Sequence, residues 1–301
     1  MQNLFSGNGR VCRTLRAVAG RSATLALLAV GGCDIINPDE QVPAYLRVAP
    51  FAYSAGVPGS PATANATAAF VYANNLLLGV FELPAKIPVL QQGEIRLRFV
   101  PAIYPDGQRG TRVTYPYYTP YSLTAVLEPA ATVRIAPTTG FDAARVELPS
   151  LVQDDFTVDD ALSRAFTVGS VAGYRQEAAV DDTFRLGVGR VRGIEGKTDV
   201  FLLQSIWQGL LPNRGAVIYL ELDYRSTMPF QVGVKHGNNF ATDLTVYPSR
   251  TWTKLYVNLT QEVSSVDNAS TEFRVFIQGF PTGAANDFFA FDNVRLIRPK
   301  I

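Results

Sequence analysis

The stretch VIYLELDY, residues 217–224, alternates apolar and polar side chains without a break, with Ile218, Leu220, Leu222 and Tyr224 on one parity. A period of two is the repeat of a half-buried strand, whereas a helix returns to the same face every three or four residues. The period recurs in EIRLRFV (94–100), where Ile95, Leu97 and Phe99 oppose Arg96 and Arg98. FQVGV (230–234), KLYVNL (254–259) and EFRVFIQ (272–278) repeat it. Gly, Pro, Asn and Asp separate these runs, and no stretch carries a long amphipathic helical pattern. Many short strands bounded by turn residues fold into sandwiches or barrels. The expected fold class is all-β.

The beginning of the chain reads differently. Arg10, Arg13, Arg16 and Arg21 precede an apolar run from Ser22 to Gly32 that contains no charge. A helix across a bilayer needs about 20 residues, so this run is too short to span but suits the apolar centre of a signal peptide. Val30-Gly31-Gly32-Cys33 resembles the lipobox of bacterial lipoproteins. That resemblance implies cleavage before Cys33, lipidation of its thiol, and attachment to a membrane through an N-terminal lipid. Residues 1–32 are then the signal peptide and 33–42, Cys33 with DIINPDEQV behind it, a short tether. The expected location is the cell envelope, at the outer membrane. The leader would take Cys12 with it, leaving no cysteine for a disulfide or a thiolate metal site. Removing its four arginines from 27 basic residues leaves 23 against 26 acidic ones, a net charge of about −3. With no basic run, nucleic acid is not an expected partner.

Two β-units are expected behind the tether. In the first, 43–145, Asn74-Asn75 suits a hairpin turn between Phe70–Tyr72 and Leu76–Phe81, and Gln92-Gly93 makes a second turn before the Ile95 strand. This spacing resembles small surface domains of the PEGA type and their Ig-like or transthyretin-like relatives, which implies a small sandwich with a structural or adhesive role. The chain departs from that pattern after the last strand, where Pro101-Ala102 replaces the usual Gly-Tyr. In the second unit, 146–301, FFAFDNVRLI (288–297) holds Phe289 and Phe291 on one parity and Val294 and Leu296 on the other, so a bulge is expected at Asp292-Asn293. This segment, with AVIYLELDYRSTMPFQVGV and RTWTKLYVNLT upstream, resembles the strands of galactose-binding-like jelly rolls, the fold of many carbohydrate-binding modules. Lipobox, PEGA-like hairpin and jelly roll together resemble surface lipoproteins of Bacteroidota-type bacteria.

No catalytic constellation emerges from the residues. His236 is the one histidine, so a nucleophile–histidine–acid arrangement depends on it alone, and a histidine-rich zinc site is ruled out. Asp154-Asp155, Asp159-Asp160 and Asp181-Asp182 read as solvated turn residues. GVGRVRG (187–193) is followed by no helical period and reads as a strand rather than a dinucleotide loop. The jelly-roll resemblance implies one metal: a structural calcium where first and last strands meet, for which Asp154, Asp155 and Asp292 are the candidate oxygen donors.

Aromatic side chains suggest where a ligand would lie. Tyr219, Tyr256 and Phe276 occupy the polar parity of their strands, among Glu221, Lys254, Asn258, Arg274 and Gln278, where rings and hydrogen-bonding groups suit a sugar. The other reading is that loops or the first unit cover them. Trp207, His236, Asn238, Asn239 and Tyr247 fall in expected loops, where binding residues gather. TYPYYTPY (114–121) would offer its tyrosines to a partner, to its own sandwich or to the second unit. The expected function is that of a non-catalytic surface lipoprotein binding carbohydrate through its jelly roll. The alternatives are assembly with an envelope protein, a structural part of a secretion or motility complex, and, last, a glycan-active enzyme.

Overall fold

A computed structural model describes residues 40–58, 63–107, 110–148, 166–169, 174–179, 188–242, 244–266 and 270–300. The chain builds two β-sandwiches joined face to end.

The N-terminal lobe holds β1 (Ala44–Val48), β2 (Ala52–Tyr53), β3 (Ala68–Ala73), β4 (Leu76–Glu82), β5 (Ala85–Val89), β6 (Gly93–Ile103), β7 (Val113–Thr114), β8 (Tyr121–Leu127), β9 (Thr132–Ile135) and β10 (Thr138–Thr139). One sheet runs β5-β1-β9, with β1 and β9 parallel; a second runs β4-β3-β6, and β6 also pairs with β7 and β8; β2 and β10 form a separate parallel pair. Leu46, Val71, Ile87, Leu97, Phe99 and their neighbours from both sheets interdigitate as the core. The β3–β4 hairpin turns on Asn74 and Asn75 at φ 47° and 68°, the left-handed geometry of a two-residue turn that asparagine tolerates best among side-chain-bearing residues. Where the PEGA-like pattern is broken, β6 continues through Pro101 and Ala102 to Ile103, which is buried against the second lobe.

The C-terminal lobe contains β11 (Val146–Glu147), β12 (Phe166–Gly169), β13 (Tyr174–Ala179), β14 (Val188–Gly193), β15 (Phe201–Ser205), β16 (Gly209–Leu210), β17 (Tyr219–Ser226), β18 (Phe230–His236), β19 (Asn239–Ala241), β20 (Thr245–Val246), β21 (Ser249–Asn258), the one-turn helix α1 (Thr260–Ser264), β22 (Glu272–Gly279) and β23 (Phe288–Pro299). Sheet I runs β13-β14-β23-β17-β21, with β11 beside the end of β23. Sheet II runs β12-β15-β22-β18-β19, with β16 on β22 and β20 on β18. Every pairing in this lobe is antiparallel. The inward parity of VIYLELDY meets that of β18, β22 and β23 in one continuous core. Two antiparallel sheets packed this way form a jelly-roll sandwich.

The bulge in β23 lies where the parity changes. Glu221 pairs with Arg295 but Asp223 with Asp292, so one residue is extra on β23, and Asn293 has φ 51°. Phe289 and Phe291 before it, and Val294 and Leu296 after it, are all buried in the core.

Candidate functional site: the outer face of sheet I

The residues of sheet I that point away from its core include Arg190 and Arg192 on β14, Tyr219, Glu221, Asp223 and Arg225 on β17, Arg250, Lys254 and Tyr256 on β21, and Phe288, Ala290, Asp292 and Ile297 on β23. The face has two halves with opposite fates.

The N-terminal lobe seals one half. Tyr115, Tyr117 and Tyr118 of the tyrosine-rich segment pack with Ile103, Phe141 and Val146 against Tyr219, Tyr256 and Ile297. Tyr115 meets Tyr219 and Tyr256 edge-on, with centroids 5.0 and 5.2 Å apart. TYPYYTPY therefore belongs to the junction between the lobes, one of the three uses its composition allowed. Asp106 reinforces it: its N–H donates to Tyr256 O (2.7 Å) and its side-chain Oδ1 accepts from Asn258 N–H (3.0 Å).

Polar groups trapped beneath the seal form a network. Tyr115 Oη donates to Glu221 Oε1 (2.5 Å). Lys254 Nζ forms an ion pair with Glu221 Oε2 at 3.1 Å. Asp223 Oδ2 accepts from Thr63 Oγ1 (2.5 Å) and Asn293 Nδ2 (2.8 Å), and Lys254 Nζ donates to Thr63 Oγ1 (3.3 Å). Burial raises the pKa of Glu221, opposed by Lys254 and the Tyr115 hydroxyl. Burial likewise pushes Asp292 up to about 6; the Asp223 charge adds to this, while the Asn293 N–H, Arg295 and Lys254 oppose it. Burial carries the Tyr219 hydroxyl up to about 12 and holds Tyr115 and Tyr256 well above the usual phenol range.

The other half is open. A cleft of about 360 Å³ lies at the end of sheet I far from the junction, lined by Arg190, Arg192, Arg225 and Arg250 around Phe288. The register assembles it: Arg190 and Arg225 both stand opposite Ala290, one on each side, and Arg192 stands opposite Phe288. Ala290 between them is buried. The guanidinium carbons of Arg225 and Arg190 lie 5.2 and 5.7 Å from the Phe288 ring centre, a cation–π arrangement. The carboxylate at the rim, Asp287, is buried. It accepts from Thr282 N–H (2.6 Å), Gly283 N–H (3.1 Å) and the hydroxyls of Thr282 and Thr227.

The expected aromatic groove is corrected. Tyr219 and Tyr256 are 4% and 1% exposed beneath the N-terminal lobe, and Phe276 is 0% exposed. Phe276 belongs to β22 in sheet II, so its outward direction is opposite to theirs, and Phe240 covers it edge-on at 5.0 Å. Three residues of one parity thus lie on two faces of a sandwich, because parity does not say which sheet a strand joins. Of the loop candidates, four share one end of the lobe and Tyr247 lies at the other. His236 and Asn239 close the β18–β19 hairpin around Gly237 and Asn238, with the His236 ring 5.7 Å from Phe273. Trp207 is at that same end, half-buried against the core beside Gly209, which pairs with Phe273. Tyr247 is 78% exposed but follows β20, which pairs with Phe230 at the opposite end of β18.

Of the expected calcium donors, Asp292 faces Asp223 across the β17–β23 pair, while Asp154 and Asp155, like Cys33, lie outside the described residues. Among the described residues, no group of three or more His, Cys, Asp and Glu is placed to hold a metal.

The open cleft is the site that sequence reasoning missed. Its arginines come from β14, β17 and β21, and only the alternation Arg190–Val191–Arg192 hints that two of them share a face.

No protein-family profile matches the sequence, and no curated protein does. Among solved structures, the chain is similar to an arabinose-bound α-L-arabinofuranosidase (14% identity, 52% of this chain and 27% of that chain, TM-score 0.38). It is also similar to a family 11 carbohydrate-binding module from Clostridium thermocellum in complex with a β-1,3-1,4-mixed-linked tetrasaccharide (14% identity, 52% and 96%, TM-score 0.33). A third similarity is to a family 4 carbohydrate-binding module (14% identity, 50% and 97%, TM-score 0.34).

Proposed function

We propose that the protein is a non-catalytic binding module of the cell envelope, anchored at the outer membrane through a lipid on Cys33, and that its jelly roll binds carbohydrate in the open half of the outer face of sheet I. The observation that carries this reading is the cleft around Phe288. It is concave and has an aromatic ring among several hydrogen-bond donors, with its arginines on strands. Small-ligand sites combine apolar walls with a few convergent polar groups in this way.

A glycan array probed with the detergent-purified full chain tests the binding, with Phe288→Ala as the control for the site. Binding that is lost in Phe288→Ala supports the proposal, and a blank array overturns it. Intact-mass measurement of the processed protein tests the anchor: an N-terminal Cys33 carrying acyl chains is expected, and an unmodified N-terminus removes it.

A second reading, assembly with an envelope protein, is favoured by one feature. Leu76, Leu77 and Val80 are exposed on β4, which ends its sheet, and an unpaired edge bearing apolar side chains is a ready surface for another chain. A blank array together with a co-purifying envelope protein selects this reading.

A further inference from the structure

The N-terminal lobe has two poles, and β6 runs from one to the other. Its last residue, Ile103, is buried against the C-terminal lobe, and its first, Gly93, lies at the opposite pole. The 11 residues of β6 put the poles roughly 33 Å apart, at about 3.3 Å per step. The chain enters at the Gly93 pole. Ala44, which opens β1, pairs with Val89 at the end of β5, and Ala130 N–H in the β8–β9 turn donates to Pro43 O (3.0 Å). Gly93 pairs with Leu127 at the end of β8, and Asn74 N–H donates to Arg96 O (2.9 Å), which ties the β3–β4 turn to the same pole.

Exposed apolar side chains gather there. Of the six large ones among the described residues of this lobe, Val42, Leu76, Leu77, Leu90 and Val126 lie at this pole, 47–63% exposed; only Val80 is set back along β4. Single apolar residues scattered over a surface are ordinary, whereas several at one end make a patch that fits another apolar phase. The charges around the patch are mixed: Glu94 stands opposite Val126, Glu128 follows β8, and Arg96 is exposed on β6. An apolar tip without a basic ring suits the boundary between headgroups and acyl chains, and not an anionic surface. The chain itself brings a membrane to this pole. Val42 is nine residues beyond Cys33, so the intervening chain reaches at most about 30 Å. A patch held that close to the bilayer meets it at high effective concentration, and a weak apolar affinity is enough to seat it.

We infer that the N-terminal lobe stands on the bilayer by this pole, with Leu76, Leu77, Leu90 and Val126 entering the acyl boundary beside the tether. This rests on the lipid anchor at Cys33 proposed above and adds an orientation to it. The lobe is then a strut that carries the C-terminal lobe at its far end.

Site-directed fluorescence tests the contact in the processed lipoprotein, whose acylated Cys33 leaves an introduced cysteine as the one reactive thiol. A dye is attached to Leu76→Cys, Leu90→Cys or Val126→Cys and, as a control on the other lobe, to Tyr247→Cys. The vesicles are phosphatidylcholine containing lipid spin-labelled on its acyl chain. We expect quenching of at least twofold at the three pole sites and none at Tyr247→Cys, with no dependence on added phosphatidylglycerol. Leu90→Glu with Val126→Glu should abolish quenching at Leu76→Cys while the chain still floats with the vesicles; if that variant misfolds, the single labels decide. An acylated chain that floats with the vesicles but is not quenched at the pole overturns the inference and leaves the anchor standing. A dimer in detergent would then assign the patch to a second copy. Equal quenching at Tyr247→Cys overturns the orientation, and quenching that needs phosphatidylglycerol overturns the apolar contact. A processed chain without acyl groups removes anchor and inference together.

Discussion

Glu221 is a carboxylate with no route to solvent, and three contacts decide whether it can stay charged: Lys254, the Tyr115 hydroxyl, and the neighbouring Asp223 charge that opposes ionisation. A buried pair adds little over well-packed apolar groups, but removing one partner leaves a desolvated charge, at about 3–5 kcal/mol. Lys254→Met should therefore lower the unfolding free energy by about that amount. Lys254→Met with Glu221→Met should recover most of it, and chemical denaturation of the single and double variants measures both. Asp292 runs the other way. Its pKa is raised in the folded state, to about 6, so folding favours the protonated form. Its stabilising effect is complete below the unfolded pKa near 4 and is lost as pH rises through 6. Asp292→Asn keeps an oxygen to accept the Asn293 N–H and removes the ionisation. It should flatten the melting profile between pH 4 and 7 and stabilise the protein by about 1–2 kcal/mol at pH 7. An unchanged pH profile would place the proton elsewhere.

The elements themselves were largely legible because the information that shapes them is local. The Asn74-Asn75 turn is written in two residues, and the β23 bulge in the switch of parity between Phe291 and Val294. What the alternation cannot supply is sheet membership: Tyr256 and Phe276 share the polar parity of their strands, yet those strands lie in different sheets. The bulge offers a test specific to its backbone. Asn293 is at φ 51° and donates to Asp223 Oδ2 at 2.8 Å. Asn293→Ala loses the donor and forces a Cβ-bearing residue without a polar side chain to hold the left-handed conformation; Asn293→Gly loses the donor alone. The glycine variant should be more stable than the alanine variant by roughly 1 kcal/mol, a reversal of the usual order in strands, and paired denaturant melts read the difference. Alanine proving the more stable would mean that this residue is not held at positive φ.

At the scale of the molecule, the division of one sheet face into a sealed and an open half was invisible in the sequence because its determinants are distant. Tyr115 and Glu221 are 106 residues apart, and Asn65 donates to the Tyr256 hydroxyl across 191. No local pattern links a proline-broken tyrosine run to the polar parity of strands in another lobe. That same junction bears on how the protein unfolds. Domains connected by a tether alone unfold independently, but here an aromatic cluster and a buried ion pair would both be opened to water if one lobe melted first. Exposing Glu221 and Lys254 on an otherwise folded C-terminal lobe restores their hydration but discards the Tyr115 hydrogen bond and the burial of several rings, each worth about 1.5–3 kcal/mol. Separate melting is thereby penalised by more than the usual difference in stability between two small sandwiches, and calorimetry of the full chain should show a single transition whose van't Hoff and calorimetric enthalpies agree. Tyr115→Ala with Tyr118→Ala removes the centre of the cluster while leaving both sandwich cores intact, and should split that transition in two. If the unaltered protein already melts in two steps, the junction does not couple the lobes and the sealed half of the face opens in solution.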